Sequence, residues 1–160
     1  MSELWTHLWT GFCLFAPLAL NNLGVMLLLW LVSAIWLYYA LRTGIPEKRV
    51  YRWALFCYLF FFFKEFIRVT RSVADFSCCF SLPYWDVLFT LVLPHGAIEY
   101  LAFALGAAYA LAWLSRSLSS RRRASPGARA VFIPATLIIL AAVIESAVTP
   151  YLFEIYMMQK

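Results

Sequence analysis

Between Leu4 and Leu41 the chain contains no Asp, Glu, Lys or Arg. A run of that length cannot be hidden in the core of a small soluble domain. It is also longer than one helix needs to cross a hydrocarbon layer of about 30 Å at 1.5 Å per residue. The rest of the sequence repeats the pattern. Of its 160 residues, 64% are hydrophobic and 13% charged, whereas soluble domains carry roughly 25% charged residues. The solvent implied is lipid, which excludes a nucleic-acid reader, a cytosolic enzyme and a disordered tail. The expected fold is all-α: one polytopic transmembrane helix bundle, residues 1–160, with the bilayer as its first partner.

The punctuation within the apolar runs sets the expected elements. Asn21-Asn22, flanked by Pro17 and Gly24, divides the first run, so residues 4–20 are read as an interfacial or re-entrant helix and residues 23–41 as the first full span. Gly44 and Pro46 close that span. The second span is placed at 51–67, followed by a more polar connection over 68–86. Proline is tolerated at the start of a helix and not within it. The third long helix is therefore expected to break at Pro94, with a half-helix before it and a full span over 94–115. A last span over 131–149 is expected to stop at Pro150. The prediction is four full spans plus the N-terminal helix.

Nine of the 13 basic residues fall in two short segments: Arg42, Lys48, Arg49 and Arg52, then Arg116, Arg121, Arg122, Arg123 and Arg129. Such bias marks cytoplasmic loops, so the loops 42–50 and 116–130 are placed inside an inner (cytoplasmic) membrane. No basic leader followed by a small-residue cleavage site precedes the first apolar run. The four cysteines (Cys13, Cys57, Cys78, Cys79) have no metal-finger or CxxC spacing and read as free thiols.

Ionisable groups inside a span are costly and mark sites by default. With this topology they share one depth. Glu99 lies five residues after Pro94 and Glu145 five before Pro150, so each is about 7–8 Å from the outer end of its helix. Glu65 and Lys64 lie near the outer end of the second span, and Asn22 at the start of the first. His95 and Glu99 are four residues apart and share a helix face. The expected cluster is His95, Glu99 and Glu145, with Glu65 and Asn22 as weaker members and Lys64 reaching outward to the headgroups. One imidazole and two carboxylates could hold zinc or a harder divalent cation, so His95, Glu99 and Glu145 are candidate metal ligands. The competing readings are a hydrogen-bonded cluster that orders the bundle and an ion or substrate path. On the same helix Gly96, Ala102, Gly106 and Ala110 are the candidate packing positions. The small residues 102, 106 and 110 form a stripe that lets another helix approach closely, within the bundle or in a dimer. No nucleophile elbow, serine–histidine–aspartate set or phosphate-cradling loop is present, so no catalytic residue is assigned.

Leu93-Pro94-His95-Gly96-Ala97-Ile98-Glu99 and the small-residue helix after it resemble the PHGxxE signature of the stage II sporulation protein M family. Ile144-Glu145-Ser146-Ala147-Val148-Thr149-Pro150 is similar to that family's final helix, and Asn21-Asn22 to its early Asn-containing segment. Where the family usually has Asn-Gly after the first full span, Thr43-Gly44 stands here. The resemblance maps the family's His and Glu onto His95, Glu99 and Glu145. It implies a non-catalytic membrane component of a cell-envelope or export complex, working with other envelope proteins or with further copies of itself. The founding member acts with peptidoglycan-degrading partners during engulfment of the forespore, and some relatives accompany circular bacteriocin production and immunity. The rival expectations are a metal-dependent intramembrane hydrolase using His95, Glu99 and Glu145, and a transport or bacteriocin-immunity component.

Overall fold

A computed structural model describes residues 2–120 and 124–158. The basic triplet at 121–123 lies outside them. Among the described residues every element is helical: α1 (Ser2–Thr43), α2 (Glu47–Phe80), α3 (Tyr84–Asp86), a π-helical segment (Val87–Val92), α4 (Leu93–Ser119), α5 (Ala128–Val143), a second π-helical segment (Ile144–Val148) and α6 (Thr149–Met158). Three stretches are long and apolar enough to cross a membrane: Ala19–Thr43, Leu93–Ser119 and Ala128–Tyr156.

The helices are more continuous than the punctuation suggested. The expected break at Asn21-Asn22 is absent, so residues 4–20 are not a separate interfacial or re-entrant helix; α1 runs unbroken for 42 residues, about 63 Å. Asparagine inside a helix costs only about 0.7 kcal/mol, and here the Asn21 amide donates to Asn22 Oδ1 at 3.2 Å while the Asn22 amide donates to Glu99 on α4. Nor does α2 end at residue 67. It reaches Phe80 because its last turns are amphipathic: Val73 is buried and Val69 and Phe76 pack beside it, while Arg71 and Asp75 face out.

The two prolines expected to break or end helices do neither. Helical backbone runs through Pro94, and α6 continues past Pro150 to Met158. In both places a π turn sits immediately upstream. Leu93 N–H bonds to Leu88 O, and Thr149 N–H to Ile144 O, each one residue further back than in an α-helix. A proline offers no N–H and its ring crowds the carbonyl four residues back. The widened turn before it accommodates that conflict without ending the helix.

Helix ends follow local rules. Gly44 (φ +69°) closes α1, its N–H bonded to Ala40 O at 3.0 Å. Ser81 (φ 53°) closes α2, with Leu82 N–H returning to Ser77 O at 3.0 Å. Between α4 and α5 the chain tucks back: the Trp113 indole donates to Ala124 O at 2.6 Å, and Ala124 N–H to Ser117 Oγ at 3.1 Å.

The main core gathers Met26, Leu29 and Leu37 of α1, Val50 and Tyr58 of α2, Phe103 and Leu114 of α4, and Ile138 of α5. Inside it the Tyr58 hydroxyl donates to Leu29 O at 2.7 Å and lies 2.5 Å from Ser33 Oγ, a polar lock holding α2 on α1. Ala102, Gly106 and Ala110 all point into this core. A methyl group added at Gly106 would lie 3.5 Å from Met26 and 3.9 Å from Pro134. The small stripe therefore seats α4 between α1 and α5 and is spent within the bundle. Gly96 stands apart, since the nearest side chain to a methyl there is Val92 of the preceding turn. A second, smaller core of Val73, Leu82 and Val87 joins the end of α2, α3 and the first π segment. Tyr156 of α6 closes over it and donates to Asp86 Oδ2 at 2.5 Å.

A polar layer between two apolar cores

A set of polar side chains, Asn22, His95, Glu99, Glu145 and Thr149, meets across α1, α4 and the last helix. Each reaches the layer by the geometry of its own helix. Asn22 sits midway along α1. His95 and Glu99 lie one turn apart at the start of α4. Glu145 is held in the second π segment and Thr149 just past it. The first π segment ends three residues before His95 and the second directly before Thr149.

The contacts form two pairs. Asn22 Nδ2 donates to Glu99 Oε1, so α1 is tied to α4. His95 Nδ1 lies 3.3 Å from Thr149 Oγ1, and its Nε2 lies 3.8 Å from Glu145 Oε1, so α4 is tied to the last helix on both sides of one imidazole. His95 is 8% exposed and Asn22 6%. Glu145 and Arg68 both act electrostatically on Glu99, and Arg68 acts on Glu145 as well. Arg68 itself is fastened to Glu65 by a 2.7 Å hydrogen-bonded ion pair on α2. The Tyr100 hydroxyl is buried nearby with no hydrogen-bond partner among the described residues.

The residues expected in the cluster stand in different relations. His95 and Glu145 meet, Glu99 pairs with Asn22, and Glu65 is held by Arg68. The expected three-ligand metal set does not assemble. Among the described residues no group of three or more His, Cys, Asp or Glu side chains converges to hold a metal ion. One imidazole and one carboxylate remain, against the three protein ligands usual for catalytic zinc.

Two members escaped the sequence reading. One is Arg68, whose spacing of three residues from Glu65 is a readable ion-pair signal. Thr149 had been read as the end of a span. Cys57, Cys78 and Cys79 are free thiols.

In comparisons with known proteins, the family model described as stage II sporulation protein M matches residues 7–150. No curated protein and no solved structure matches the chain.

Proposed function

The chain belongs to the stage II sporulation protein M family, and from that premise we propose that it is a non-catalytic, multi-pass component of a cell-envelope complex in the cytoplasmic membrane. In this reading α2 supplies a fourth span over residues 51–67. Its support is a face of exposed Trp53, Phe56, Phe60, Phe63 and Phe66, which suits acyl chains and would be an aggregation hazard in water. Arg52 and Arg68 bracket that face, as residues that snorkel to headgroups do.

The observation that carries the proposal is the pairing within the polar layer. Each of its acids is engaged by a partner side chain. A nucleophile or general base has to reach a reacting group. Here the same groups fasten α1, α4 and the last helix together. Such a lock keeps the outer ends of the helices in one arrangement for a partner to recognise.

The test is complementation of a deletion strain with Glu99→Gln, Glu145→Gln and Lys64→Gln, each scored for function and for the amount of folded protein. In the first two, function is expected to fall together with folded bundle. Lys64→Gln is expected to stay within about 0.5 kcal/mol of the parent, as for an exposed side chain. A Glu99→Gln or Glu145→Gln protein that folds and accumulates normally yet has no function would point to catalysis instead.

Orientation is tested separately. With both basic loops cytoplasmic, single cysteines placed at 121–123 in a background without the native thiols should react with an impermeant reagent only after permeabilisation. Reaction in intact cells would reverse the topology.

A further inference from the structure

At the junction of α1 and α2, arginines and aromatic rings share one surface. On α2, Arg49, Arg52, Trp53 and Phe56 are spaced three, four or seven residues apart, so they lie on one helix face. All four are exposed, while Val50 and Ala54 turn the opposite face into the core. Trp53 stacks on Trp36 of α1, with ring centres 6.3 Å apart and planes 13° from parallel. Phe56 stands edge-on to Trp53 at 6.0 Å, and Tyr39 edge-on to Trp36 at 6.2 Å. We propose that this surface holds one anionic glycerophospholipid of the inner leaflet, with Arg49 and Arg52 on its phosphate and the row of four rings along its glycerol and upper acyl chain. The inference rests on the reading of α2 as a span with its basic end cytoplasmic.

Charge, depth and shape each select that occupant. Residues 42–52 hold four basic side chains and one acid, Glu47. Arg49 and Arg52 have no ion-pair partner among the described residues. Two guanidinium groups one turn apart offer a phosphate paired, charge-assisted hydrogen bonds, and unpaired cations beside a bilayer favour anionic over zwitterionic headgroups. Arg49 lies seven residues before Phe56, about 10 Å along the helix. The cations therefore stand at headgroup level when the rings stand at the glycerol and the first methylenes, the order in which a phospholipid presents its own parts. Trp and Tyr suit that boundary because each joins an apolar ring to a polar tip. An acidic segment of a soluble protein could meet the arginines, but not the rings that continue below them into the span.

The purified full chain in detergent would be titrated with phosphatidylglycerol and with phosphatidylcholine and read by native mass spectrometry. Phosphatidylglycerol is expected to bind roughly 25-fold better, about fivefold for each arginine. Arg49→Gln and Arg52→Gln should each cut that preference about fivefold. Arg129→Gln is the control. It removes an exposed arginine from α5, a helix that does not touch α2, and should leave the preference unchanged. Either lipid bearing a photoreactive acyl chain would then map contacts on the parent protein, and the phosphatidylglycerol probe should concentrate on the peptides containing Trp36 and Trp53. Equal binding of the two lipids would overturn the proposal. So would an equal loss in Arg129→Gln, which would mean diffuse attraction to the basic end rather than a site. Phosphatidylglycerol cross-links spread evenly over the long helices would overturn it without reliance on any variant. Cross-links from both probes to residues 53–67 with no preference for phosphatidylglycerol would leave α2 a span and remove only the site.

Discussion

Gly106→Leu is expected to prevent the bundle from forming, whereas Gly106→Ala should leave it intact. At Gly106 helix α4 passes between Met26 of α1 and Pro134 of α5. A single added methyl would rest at 3.5 Å and 3.9 Å from them, in ordinary contact. Alanine therefore fits, and its better helix propensity offsets any strain by up to about 1 kcal/mol. Leucine must place three further carbons where two other helices already lie. Overpacking a dense core usually costs about 1–3 kcal/mol, and here the obstacle includes a proline ring that cannot change rotamer. A loss at or above the top of that range is expected, enough to unseat α1 and α5 together. The check is retention of monodisperse protein after graded heating in detergent. A Gly106→Leu protein that melts with the parent would show that α4 does not sit between those helices.

Asn22→Leu should be more damaging alone than when Glu99→Leu is added to it. The single change leaves the Glu99 carboxylate in a half-buried layer without the amide that binds it. An orphaned polar group costs about 1–3 kcal/mol, and more when charged. Replacing both partners by leucine removes the orphan and restores an apolar contact between α1 and α4. The double variant should recover to within about 1 kcal/mol of the parent. Function should stay low in both, because neither retains the pair. Thermal stability in detergent, measured on the two singles and the double, decides the matter. Additive losses would mean that Asn22 and Glu99 do not act as a pair.

Much of this was readable from residues alone. Hydropathy acts locally and the solvent is imposed from outside, so the uncharged run from Leu4 to Leu41 already required a membrane. A helix also advances a constant distance per residue. Counting from Pro94 and Pro150 therefore set Glu99 and Glu145 at one expected depth. Two quantities could not be read in this way. One is the direction in which a side chain points once helices have rotated about their own axes. That rotation is set by packing across the bundle, such as Met26 against Gly106. It decides that Glu99 meets Asn22 while His95 meets Glu145 and Thr149. The other is the fate of a helix-breaking residue. Asn21-Asn22, Pro94 and Pro150 each signal an end by local preference. Those preferences are worth up to about 3 kcal/mol, and a neighbouring helix can outweigh them. The π turns before both prolines and the amide bond to Glu99 are that compensation. What the sequence determined by itself was the solvent and the helical state; the tertiary structure alone decided which groups pair and where the helices continue, because both depend on what the opposite helix presents.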